Sequence, residues 1–238
     1  MSSEKKTAQT ESEKLFEEYL RSQSIGDFEY EKEFEGIAKR PDYYVELRTL
    51  KMLFEVKELA PKQIVTGPGG AYLSPSDLSP IHDDIDSARE KFKSFKDKKW
   101  PCCLVLYGGG NDDLDLCDPD QVFGAMYGTT RMSIDFDSEK GEAVEDSEKW
   151  VFIGKSGKMM RPYWRDPQNT TISALITLRK VWTKDEGLQL GVVVFENCFA
   201  SVEFPRHIFC GNYDIRYGMA EVREIRPVFV GSQVPTLQ

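Results

Sequence analysis

Histidine is scarce in this chain, spaced cysteine pairs are missing, and no long apolar run occurs; each shortage removes a class of function. Only His82 and His207 are present, and no G-x-S-x-G occurs, because the position two after Ser156 is Lys158. Serine and cysteine nucleophile schemes that depend on a histidine base therefore have little to build on. The five cysteines, Cys102, Cys103, Cys117, Cys198 and Cys210, contain no C-x-x-C pair. That argues against a zinc site or a disulfide framework. Cys102 and Cys103 fall in an apolar run and read as buried thiols behaving as small hydrophobes, which suits a reducing compartment. No apolar stretch approaches the ~20 residues of a membrane-spanning helix. Met1 to Glu13 is polar and lacks the apolar core of a secretory signal. The expectation is a cytoplasmic protein, not bound to membrane, with a short disordered tail over residues 1–11. Gly154-Lys155-Ser156 is not a phosphate-binding loop, since the glycine required five residues before Gly154 is Lys149.

The 238 residues are 40% hydrophobic and 30% charged, as in an ordinary globular protein with a sizeable core. The net charge is −9. Residues 111–150 hold 12 Asp or Glu against 3 Lys or Arg, which accounts for −9, and the rest of the chain is neutral with 28 of each sign. The acidity is thus local, and basic patches remain available elsewhere for an anionic partner.

Apolar residues Leu15, Phe16, Tyr19 and Leu20 recur at helical spacing and predict a helix over Thr10 to Gln23, opened by the capping box Thr10…Glu13. Phe28 to Phe34, Tyr43 to Leu47 and Met52 to Leu59 read as strands, the last two joined as a hairpin by Arg48 to Lys51. Pro61 to Pro80 is a Pro-, Gly- and Ser-rich loop that could move over a site. Ile81 to Lys98 reads as a second helix with the stripe Ile85, Ala88, Phe92 and Phe95, and Leu104 to Tyr107 as a buried strand. A short helix over Gln121 to Tyr127 follows. Trp150 to Ile153, Ile172 to Trp182 and Leu188 to Phe195 read as further strands.

The chemistry concentrates in Pro41-Asp42 and Glu55-Val56-Lys57. Side chains alternate along a strand, so Glu55 and Lys57 share a face while Phe54 and Val56 point into the core. Two carboxylates and an ammonium are expected to meet at the edge of the sheet, a costly cluster unless a cation neutralises it. Magnesium or manganese suits carboxylate oxygens, and a lysine beside a metal-bound water can orient or deprotonate it. Plainer readings stand beside this one. Asp42 can be a turn residue after Pro41, Glu55 and Lys57 a simple ion pair, and Glu13 a helix cap. Removing Asp42 is expected to relieve repulsion between the carboxylates.

With Ser12-Glu13, Leu15-Phe16, Tyr19-Leu20 and Phe28-Glu29-Tyr30-Glu31 upstream of Pro41-Asp42 and Glu55-Val56-Lys57, the chain resembles the PD-(D/E)XK nuclease superfamily over about residues 12–107. The resemblance implies an α/β, restriction-endonuclease-like α-β-β-β-α-β core flanked by helices. Residues 12–130 would form that core, and residues 131–238 a β-rich extension packing on or continuing it. It implies a Mg2+- or Mn2+-dependent nuclease that hydrolyses phosphodiester bonds in DNA. Asp42, Glu55 and Glu13 would be metal ligands, with Glu17 replacing Glu13 if the register differs. The Val56 carbonyl would be a further ligand, and Lys57 would position the attacking water. Nucleic acid, as DNA, is the expected partner, and a homodimer is an admissible assembly. Lys93, Lys96, Lys155, Lys158, Arg161 and Arg165 are candidate contacts to it, the last four interleaved with Tyr163 and Trp164; solvated basic surface is their plain reading. No helix-turn-helix or zinc finger is recognisable, so sequence-specific reading is not expected. From another class comes the alternative of a catalytically inactive nuclease-fold module for binding or assembly.

Overall fold

Thr10 starts the first helix as the sequence predicts. Its hydroxyl accepts the Glu13 backbone N–H while the Glu13 carboxylate accepts the Thr10 backbone N–H, a complete capping box on α1 (Glu11–Ser22). Phe16, Tyr19 and Leu20 form the buried stripe of this helix. The computed structural model describes residues 9–59, 78–109, 114–128, 130–133, 136–137, 139–144, 149–152, 157–159, 167–221 and 224–227.

β1 (Phe28–Tyr30) is shorter than the sequence suggests. Glu31 takes a left-handed φ of 47°, and its N–H donates to the Asp42 carbonyl, so the chain leaves the strand there. β2 (Tyr43–Leu47) and β3 (Leu50–Glu58) form the expected antiparallel hairpin. Their link is a two-residue turn, tighter than Arg48 to Lys51, with Arg48 at φ 55°. Tight hairpin turns favour positive φ because it matches strand twist. The second helix divides into α2 (Ser79–Phe92) and a 3-10 segment, Lys93–Lys98, that keeps Phe95 in the core. Tightening into 3-10 geometry is common where a helix ends. β4 (Cys102–Tyr107) and α3 (Pro119–Tyr127) follow.

The later strands are β5 (Thr130–Ser133), β6 (Phe136–Asp137), β7 (Glu142–Ala143), β8 (Lys149–Phe152), β9 (Ala174–Thr183), β10 (Gly187–Glu196), β11 (Ile215–Glu221) and β12 (Glu224–Pro227). Sequence patterning did not single out β5, β6, β7, β11 or β12. Four of the five, β5, β6, β7 and β12, have four residues or fewer, too short for a periodic signal. The main sheet has eight strands in the order β1-β2-β3-β4-β9-β10-β11-β12, and β5-β8 and β6-β7 are separate pairs. β3, β4 and β9 are mutually parallel, whereas β1-β2-β3, β9-β10 and β11-β12 are antiparallel.

The result is a mixed α/β protein whose sheet is covered on both faces. Leu53, Leu104, Leu106, Leu175 and Val193 pack under α2 and α3. Phe54, Val56, Val105, Ile176 and Val194 pack under α1 and the Phe204–Phe209 segment. Burial on both faces explains why β3 and β4 read as continuous apolar runs instead of alternating ones. No described helix is long and apolar enough to cross a membrane.

Candidate functional site

β3 lies between β2 and β4, so the Glu-x-Lys strand is inside the sheet and not at its edge. Tyr43 pairs with Phe54 in the β2-β3 ladder, and the next step of that register sets Asp42 beside Glu55. One Asp42 oxygen, Oδ2, accepts the Val56 backbone N–H at 2.8 Å. Asp42 therefore continues the ladder in place of a backbone carbonyl and is fixed by it. Glu55 shares the α2 face with Leu53 and is fully buried, at 0% exposure. Lys57 follows on the same face and places its Nζ 2.7 Å from Glu55 Oε1.

The facing helix completes the cluster. On α2, Asp84, Ala88 and Lys91 stand at i, i+4 and i+7, one stripe of the helix. Lys91 Nζ bridges the two carboxylates, 2.6 Å from Glu55 Oε1 and 3.1 Å from Asp42 Oδ1. Asp84 lies close enough to Lys57 to feel its charge. Neither residue was singled out as part of the site from sequence. The available signal was position: Lys91 immediately precedes buried Phe92, and Asp84 immediately precedes buried Ile85, so both flank the apolar stripe.

Electrostatics follow from this packing. Burial raises the pKa of Glu55, the Asp42 charge adds to the rise, and Lys91 and Lys57 oppose it. Burial alone would lower Lys91, but Glu55 and Asp42 outweigh it and its net shift is upward, which keeps the ammonium charged. Burial pushes Asp84 up to about 6, with Lys57 opposing and Asp83 reinforcing. A buried carboxylate with unfilled acceptor capacity is expensive. Glu55 Oε1 meets two ammonium groups, yet Oε2 is buried and has no hydrogen-bond partner among the described residues.

This donor set fits a hard divalent cation. Magnesium is commonly held by one or two carboxylates with water completing its shell, and Asp42 at the entry to β2 and Glu55 on β3 supply two. The open Oε2 supplies acceptor capacity that no donor among the described residues uses. Among the described residues no group of three or more Asp, Glu, His or Cys is placed to hold a metal, so Asp42 and Glu55 are the two carboxylates this donor set offers.

Glu13 is held at the start of α1. It belongs to the α1 side of the sheet, where its Oε2 accepts from Thr10 and its Oε1 accepts the Tyr30 hydroxyl at 3.0 Å. The sequence had named both a cap and a ligand for it; the structure places it in the cap. Glu17, the fallback, is held by Gln9, Arg21 and the Tyr43 hydroxyl. Val56 buries its side chain and gives its N–H to Asp42. Glu58, on the α1 face, accepts the Ser12 N–H with Oε2 and joins the helix N-terminus to β3. Lys93 pairs with Glu90 and Lys96 is exposed, while Lys158 pairs with Asp86 on α2. Lys155, Arg161 and Arg165 lie outside the described residues, as do residues 60–77 of the Pro- and Gly-rich loop and residues 1–8 of the tail.

A scan of protein-family models, a search of curated proteins and a search of solved structures each returned no match for this chain.

Proposed function

We propose that this protein is a metal-dependent nuclease of the PD-(D/E)XK type, with a restriction-endonuclease-like core, that hydrolyses phosphodiester bonds in DNA. The observation that carries the reading is the buried pair Asp42, just before β2, and Glu55 on β3, with Lys57 next along that face and Glu55 Oε2 unpartnered among the described residues. Asp42 and Glu55 would hold Mg2+ or Mn2+, which supplies a more acidic water and offsets the charge of a phosphate oxygen. Lys57 holds positive charge beside Glu55, where it can orient the attacking water and steady charge on the phosphate. Asp42, tied to the Val56 N–H, keeps the ligand geometry fixed by the hairpin itself.

The test is incubation with supercoiled, linear, single-stranded and branched DNA, and with RNA, in manganese, magnesium or EDTA. Metal-dependent cutting should fall by about 100-fold or more in Lys57→Ala and Glu55→Gln. Cutting that persists undiminished in Lys57→Ala would remove this lysine from the mechanism.

A second reading has its own observation. The Lys91 ammonium already bridges the two carboxylates, as a structural ion cluster would, and Glu13 is committed to its cap. On that reading the chain is a catalytically inactive module for binding or assembly. It predicts no metal-dependent rise in thermal stability and no product from any substrate.

A further inference from the structure

Lys91 is the residue the proposed chemistry does not use, although it alone among the described side chains contacts both carboxylates. Its Nζ touches both carboxylates, at 2.6 Å and 3.1 Å. Those are the two groups that would hold a divalent ion. Asp42 and Glu55 carry two negative charges, and Lys57 and Lys91 carry two positive ones. Adding a divalent ion leaves that group with a surplus of two positive charges unless a lysine withdraws. Lys57 is fixed to the same strand as Glu55. Both lysines reach water to a similar degree, with side chains 29% and 26% exposed, but Lys91 comes from the facing helix and is the one whose ammonium occupies the space between the two carboxylates. Glu55 cannot stand bare in the meantime, since it is fully buried.

We infer that Lys91 is a tethered competitor for the divalent cation: its ammonium neutralises Asp42 and Glu55 in the metal-free protein and is displaced when the ion binds. The inference rests on reading Asp42 and Glu55 as cation ligands, and it adds a control on metal occupancy located on α2.

Manganese(II) alone is the probe. Calorimetric titration of the full chain should show Lys91→Met binding manganese about tenfold more tightly than the wild type or better, because a like charge has left the site. Its unfolding temperature in EDTA should be lower than wild type, and the rise on adding manganese larger. Lys91→Arg, which keeps the charge, should show no such gain in affinity. Affinity in Lys91→Met equal to or below wild type overturns the inference. Because that variant removes a counter-charge from buried Glu55 and can fail to fold, the wild type supplies an independent measurement. Acetylation of Lys91 by an amine-reactive reagent, followed by mass spectrometry, should accelerate severalfold when manganese is added, with exposed Lys96 as the internal reference. Unchanged labelling at manganese saturation also overturns the inference. Tighter binding in Lys91→Met without cleavage of any nucleic acid would remove the nuclease reading and leave the competitor standing; cleavage without the affinity gain does the reverse.

Discussion

Asp42 shows how one residue's role changes once its neighbours are known. As an isolated acid beside Glu55 it is expected to repel, and its removal to relieve the site. In the fold it accepts the Val56 N–H and pairs with Lys91, so removal would leave a buried donor and a half-buried ammonium short of a partner. The carboxylate whose removal should help is Asp84. Its folded pKa of about 6 lies above the model-compound value of 3.8. An acid shifted upward holds its proton more tightly folded than unfolded, so its contribution to stability falls as pH rises from about 3.8 through about 6 and stays unfavourable above. Asp84→Asn should therefore stabilise the protein at pH 7.5 by about 1 kcal/mol after allowing for solvent screening. The gain should shrink toward zero near pH 4. Urea unfolding at the two pH values measures this, and an equal gain at both would assign the shift to another cause.

At the scale of elements, α1 and α2 divide the work. α1 is a structural helix: its first turn is closed by Thr10, Glu13 and Glu58, and Phe16 packs edge-on against Tyr43 at 5.4 Å. α2 brings charged side chains to the face of β3. Glu13→Ala should consequently cost about 1–2 kcal/mol through loss of the cap and of the Tyr30 contact. It should leave any manganese-induced rise in unfolding temperature intact. Loss of that rise in a folded Glu13→Ala protein would restore Glu13 to the metal shell.

The whole molecule is joined across its sequence by a few polar hubs, half-buried Asp214 and buried Arg216 among them. Asp214 accepts from the Tyr19 hydroxyl at 2.7 Å, the Gly211 N–H at 2.6 Å and the Val192 N–H at 3.0 Å, tying α1 to β10 and to the approach of β11. Arg216 pairs with Glu196 and donates to the Ile208 and Pro205 carbonyls. The sheet itself passes without a break from β4 to β9. Asp214→Ala should lower the midpoint of a single unfolding transition by about 3 kcal/mol or more, since three donors lose one acceptor. Tryptophan fluorescence and far-ultraviolet circular dichroism should shift together; separate transitions would mean that the two parts of the sheet unfold independently.

What the sequence determined by itself was local. The capping box, the apolar stripe of α1, the β2-β3 hairpin, the Glu55 and Lys57 face and the β9-β10 hairpin were legible because each depends on residues a few positions apart. Helix ends and strand ends moved where a left-handed residue such as Glu31 redirected the chain. Tertiary structure alone decided what faces Glu55. Lys91 meets it across 36 positions of chain, and no periodicity encodes a contact between a helix and a strand packed beneath it. Likewise the side of the sheet on which Glu13 lands follows from how α1 packs and not from its spacing to Asp42. Charge is visible in a sequence; its compensation depends on which distant side chains the fold brings within about 3–4 Å.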